Sequence, residues 1–181
     1  MTEIPDHPVY ARNTLEFLTV CNDFCITVST SEMNSSSLTD YLVKVLPLLY
    51  LKASLLPDID VVNPDMNQRF VTQEEWQNLF LKLRKIFGTY DEFWYTDPIG
   101  EAPEPIKGSL SEHLADIFQD LQDFLQLYQR NSLDAKENAL HEVSGSFKRY
   151  WGYQLVNAHK TLHHVSMQGG VDLPEEEFFG F

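Results

Sequence analysis

The chain has 181 residues, 43% of them hydrophobic and 13% aromatic, enough apolar material for one packed domain and too much for disorder as the main state. Twenty-seven acidic residues against thirteen basic ones give a formal charge of -14. That field repels nucleic-acid phosphates and anionic lipid, so neither nucleic acid nor a membrane is expected as a partner.

The opening residues read as a short lead-in with Pro5 and Pro8, and the start lacks the basic-then-apolar order of a signal peptide. Tyr10, Thr14, Phe17, Leu18, Cys21, Phe24, Cys25 and Val28 then recur at helical spacing, with Arg12, Glu16, Thr19 and Asp23 opposite. This predicts an amphipathic helix ending near Ser29. Cys21 and Cys25 share its apolar side and are expected as small core residues. Two cysteines make no disulfide framework, so a reducing cytoplasm is the expected location.

After a polar loop, a second helix begins near Ser37, with Leu38, Tyr41, Leu42, Val45, Leu49, Lys52 and Leu56 on one face. Pro47 lies inside it and is expected to kink it; Pro57 stops it. Thr72 and Glu75 form a capping box before a third helix with the stripe Trp76, Leu79, Phe80, Leu83 and Phe87, ended by Gly88. The aromatic segment 89–96 is either extended or a short irregular helix, and 97–107, with three prolines and Gly100, reads as loop. Tyr90, Phe93, Trp94 and Tyr95 are expected to close the bundle end. Ser109 and Glu112 form a second capping box, opening the cleanest stripe of the chain, Leu110 to Tyr128. The last helical region carries Ala139, Leu140, Val143, Phe147, Tyr150, Trp151, Gln154 and Ala158 on one face, bent or split at Gly145. The expected fold is all-α: an irregular bundle of five to six helices over residues 8–167, followed by an acidic, aromatic tail over 168–181.

Lys52 is the sharpest chemical feature. Its helical phase draws it toward the apolar stripe, where an ammonium needs a carboxylate or loses its proton, unless its long stem snorkels to solvent or the Pro47 kink turns it outward. Asp116 or Asp120 is a candidate partner, and Tyr50, Asp116 and Asp120 are candidate rim residues of a pocket around Lys52. Glu112, Asp116, Asp120 and Asp123 otherwise fall on the polar side of their helix and are expected as a solvated face. His159 and His163, spaced i and i+4, are a candidate metal pair lacking a third ligand. No phosphate loop, nucleophile elbow or zinc-protease motif occurs, so no cofactor is expected.

Three segments carry a family likeness: Tyr41 to Ala53, with Pro47 and Lys52; Ser109 to Tyr128, with Leu114-Ala115-Asp116-Ile117 and Gln119-Asp120-Leu121; and Tyr150-Trp151-Gly152 followed by Leu155-Val156-Asn157-Ala158. Together they resemble DUF5063, a bacterial domain family of unknown function, over about Tyr10 to His164. The resemblance implies an all-helical domain and no particular reaction. Two functional readings stand on the residues: a helical module that holds another protein, favoured by the absence of catalytic motifs, and a small-molecule or anion-binding protein, with or without catalysis, built around Lys52. A metal site at His159 and His163 is a weaker third.

Overall fold

A computed structural model describes residues 6–96 and 104–168. Among these, six α-helices form: α1 (Arg12–Thr30), α2 (Ser35–Ser54), α3 (Gln73–Phe87), α4 (Leu110–Tyr128), α5 (Leu133–Ser146) and α6 (Gly152–Met167). The mostly helical bundle expected from the stripes is what the chain adopts. The tail lies outside the described residues from 169 onward.

Local chemistry fixes the ends. The Asn34 side chain accepts from the Ser37 amide at the start of α2, and the Thr72–Glu75 box is closed in both directions at the start of α3. Lys82 of α3 donates to the carbonyls of Val28, Ser29 and Ser31 at the exposed end of α1. Lys136 does the same for Tyr128 and Arg130 at the end of α4. A cation there satisfies carbonyls that lack an intrahelical donor and complements the negative end of the dipole.

Helix α4 is the axis of the molecule and packs against α1, α3, α5 and α6. Its neighbours bury an aromatic centre in which Phe17 lies 5.3 Å from Phe124 and 6.4 Å from Trp151 between ring centroids. Cys21 and Cys25 are buried and free within this core, and burial pushes both thiols up.

Two departures from the expected layout matter. Glu92–Thr96 (β1) and Pro105–Ser109 (β2) pair as an antiparallel hairpin, with Phe93 opposite Gly108. Part of a segment read as loop is therefore strand. Gly108 permits the pairing: a Cβ there would lie 2.9 Å from the Phe93 ring. Phe93 and Tyr95 face His113 of α4 edge-on, 5.4 and 6.0 Å between centroids, and cover that end of the bundle, whereas Tyr90 and Trp94, expected to share the task, are exposed. Buried Asp91 ties the hairpin down, accepting from the Ser111 amide and the Ser109 hydroxyl at the start of α4. The second departure lies between α5 and α6, where Phe147–Trp151 forms a wide turn of π-helix. The expected break falls after Gly145 itself, and Gly152, treated below, leaves room for the turn.

Candidate functional site

Lys52 finds a carboxylate, on neither of the expected partners. Its ammonium lies 2.6 Å from Glu16 of α1, which also takes Arg12 at 2.7 Å. These two cations hold the Glu16 carboxyl below the usual carboxylate range, the Lys52 hydrogen bond first. The Lys52 side chain is 21% exposed and lines neither of the two clefts described below. Tyr50 stands two residues away, about 200° around α2, and rests edge-on against Phe147 at 5.1 Å. The structure therefore does not bring Lys52, Tyr50, Asp116 and Asp120 together.

Asp116 and Asp120 belong to a polar seam inside the bundle. Asp116 accepts from the Trp76 indole at 2.8 Å and from the Gln154 amide at 2.6 Å, linking α3, α4 and α6. Asp120 accepts from the Ser146 hydroxyl of α5. Burial holds the Asp120 carboxyl above the usual carboxylate range; that hydrogen bond and the Arg69 charge oppose the shift, and Asp123 and Asp116 add to it. Asp123 is buried, and one of its oxygens accepts from the amides of Phe70 and Val71 at 2.7 and 2.8 Å. The expectation of a solvated face thus fails for these three residues and holds for exposed Glu112. Helical phase identified the polar face correctly. It carried no information that segment 67–71 and α5 would cover that face.

His159 has a backbone task. Pro47 has no N–H, so the carbonyl of Val43, four residues earlier, loses its intrahelical donor. His159 of α6 takes that place, its Nε2 lying 3.2 Å from the Val43 oxygen. A carbonyl only accepts, so Nε2 carries a proton and is closed to a metal. The His163 ring stands 6.4 Å away, and no cluster of three or more His, Cys, Asp or Glu among the described residues is arranged to hold a metal ion.

A cationic cleft lies on the other side of α5. Pro57, Asp58 and Ile59 form one wall, and His141, Ser144, Gly145, Lys148 and Arg149 the other, around about 240 Å³. The wide turn Phe147–Trp151 sets Lys148 and Arg149 at its edge. The Arg149 guanidinium lies over Gly145, where a Cβ would stand 3.2 Å from both of its terminal nitrogens. Lys148 reaches Asp58 at 3.0 Å, and His141 Nδ1 lies 3.3 Å from the Ile59 oxygen. Sequence reading did not single out His141, Lys148 and Arg149 as a group. The available signal was a Lys-Arg pair three and four residues beyond a glycine in a strongly acidic chain.

Residues 8–168 match the family described as a domain of unknown function. The chain belongs to that family, DUF5063. A crystal structure of protein BF1032 from Bacteroides fragilis is similar to it, with 32% identity and a TM-score of 0.81 over 92% of this chain and all of that one. No match was found among curated proteins.

In this DUF5063 chain the three familiar segments have distinct structural roles. Tyr41–Ala53 supplies the Val43–Pro47 gap and Lys52, Ser109–Tyr128 supplies the carboxylate seam, and Tyr150-Trp151-Gly152 closes the wide turn. The same domain also presents an apolar surface along α2 and α6. Pro47, Leu48, Tyr50 and Leu51 are exposed on α2 and Leu55 just past its end, as are Tyr153 and Val156 on α6.

Proposed function

We propose that the protein binds a small molecule through an oxyanion, a phosphate or carboxylate group, in the cleft between residues 57–59 and the α5 end of the wide turn. The observation that carries this reading is the convergence of His141, Lys148 and Arg149 on one concavity of a chain whose net charge is -14. Arg149 offers a planar fork suited to two oxygens, and Lys148 a point charge. The Lys148–Asp58 pair is exposed, 63% and 93% for its two side chains. Exposed pairs of this kind are weak, so an anion displaces Asp58 at small cost. The cleft volume of about 240 Å³ falls below the roughly 300–1,000 Å³ of sites for drug-sized ligands, which favours one compact head group over a nucleotide.

The test is an NMR titration of isotope-labelled protein with inorganic phosphate, acetate and chloride at matched ionic strength. Saturable shifts at the Ser144 and Gly145 amides with phosphate or acetate support the reading, and which of the two binds tighter distinguishes the head groups. Arg149→Ala is expected to weaken that binding by about tenfold, the usual worth of one charge-assisted hydrogen bond. An equal response to chloride, or unchanged binding by the variant, refutes it.

A second reading rests on the apolar surface of α2 and α6, as a seat for an apolar helix of another protein. Stoichiometric capture of one protein from native lysate by the wild type and not by Leu51→Asp supports it; equal capture by both counts against it. Free, buried Cys21 and Cys25 support the cytoplasm as the place of action. Among the described residues no helix is long and apolar enough to cross a membrane.

A further inference from the structure

The cationic cleft holds an arginine without a partner and a histidine with one nitrogen to spare. Arg149 makes neither an ion pair nor a hydrogen bond among the described residues, in a chain with twenty-seven acidic residues against thirteen basic ones. Its guanidinium lies over Gly145 and 5.8 Å from the Tyr150 ring centroid. His141 Nδ1 lies 3.3 Å from the Ile59 carbonyl oxygen. That oxygen only accepts, so Nδ1 carries the proton of the neutral ring and the lone pair stays on Nε2. Nε2 makes no hydrogen bond among the described residues. A second, smaller cleft, about 40 Å³ beside residues 67–69, is lined by Asp120, Asp123 and Glu142 and repels an anion.

We infer, resting on the oxyanion reading of the cationic cleft, that its ligand carries a hydroxyl on the atom next to the oxyanion. A small 2-hydroxycarboxylate is the simplest such molecule. His141, Gly145 and Arg149 succeed one another at four-residue spacing, and the Arg149 fork folds back over Gly145. Gly145 lies one helical turn, about 6 Å, beyond His141. That interval suits two polar groups on neighbouring atoms of one small molecule, each within about 3 Å of its partner. The oxyanion takes the donors of Arg149 and Lys148. The hydroxyl donates to His141 Nε2. A bare carboxylate has acceptors only and gives the Nε2 lone pair nothing. The cleft volume of about 240 Å³ leaves room for such a short chain.

The experiment titrates the protein with sodium glycolate, acetate, methoxyacetate and chloride at equal ionic strength, followed at the Ser144 and Gly145 amides. It is run at pH 8, above the range in which imidazoles take up a proton. Glycolate and methoxyacetate share a skeleton, and methylation removes the donor. Glycolate is expected to bind about fivefold more tightly than acetate or methoxyacetate, the usual worth of one neutral hydrogen bond. His141→Asn keeps a donor for the Ile59 carbonyl and removes Nε2. That variant is expected to keep the acetate affinity and lose the preference for glycolate. Equal affinities for glycolate and methoxyacetate, or a preference that survives in His141→Asn, overturn the inference and leave the oxyanion reading standing as long as acetate exceeds chloride. Equal responses to acetate and chloride overturn both.

Discussion

Gly152→Ala is expected to destabilise the protein even though it replaces a helical glycine by the best helix former. Gly152 has ordinary helical dihedrals, φ -63° and ψ -41°, so its backbone makes no demand for glycine. The demand is spatial. The Gly152 N–H bonds to the Phe147 carbonyl, five residues back, and a Cβ on residue 152 would lie 2.5 Å from that oxygen and 3.0 Å from the Phe147 ring. The obstacle is backbone, so relief requires opening the wide turn itself. Overpacking costs about 1–3 kcal/mol, and a 2.5 Å clash with backbone falls in the upper part of that range, about 2–3 kcal/mol; the gain in helix propensity returns about 1 kcal/mol. The net loss, roughly 1–2 kcal/mol, lowers Tm by roughly 2–8 °C in a chain of this size. Urea and thermal denaturation followed by circular dichroism and Trp151 fluorescence measure it. Gly145→Ala is the internal control, because its Cβ would meet only the mobile Arg149 guanidinium. That variant is expected to be neutral or stabilised by about 0.5–1 kcal/mol. A Gly152→Ala protein as stable as wild type would refute the reasoning.

Two further expectations concern single side chains. His159→Leu strands the Val43 carbonyl and costs about 1 kcal/mol; in a Pro47→Ala background the restored N–H supplies the missing donor, so a double-mutant cycle shows coupling, and additive effects would show that His159 does not fill the gap. His113 governs pH dependence: it is buried, both ring nitrogens lack a partner, and burial pulls its pKa below the ordinary 6.5, against the opposing charges of Asp116 and Asp91. The unfolded chain therefore binds a proton that the folded one refuses, so stability is level well above pH 6.5 and falls as pH drops from there through the lower folded value. Asp120, with its pKa raised above 3.8, runs the other way and gains stability as pH falls, so the comparison is made against His113→Phe. That variant should lose the decline of urea midpoint below pH 6.5; an unchanged decline places it on another group.

The helices were legible because their stripes are long and their caps explicit, as at Thr72 and Glu75. The hairpin was harder. Its strands have five residues each, Pro105 and Gly108 disguise the second, and the first shows its alternation only through Phe93 and Tyr95 facing His113. The candidate sites were legible in type and not in partnership. Phase drew Lys52 inward, where it needs a carboxylate, and the expected partners were Asp116 and Asp120 in place of Glu16, since spacing within one helix says nothing about which neighbour arrives. The Asp123 clamp depends on segment 67–71, which has no periodicity to read. His159 had a signal in retrospect: a proline inside a helix leaves one carbonyl open, and a polar residue on a packed neighbour can fill it.

The wide turn at Phe147–Trp151 also gives the chain slack. A deletion elsewhere in α5 or α6 would rotate every later position by about 100°, turning Tyr153 and Val156 inward in place of Leu155, Ala158 and Leu162. A residue removed within the wide turn shortens the loop of the helix and leaves the phase of α6 intact. Length variation among relatives should therefore collect at this point of the helix pair, with the edge that carries Lys148 and Arg149 altered and the core beneath it unchanged.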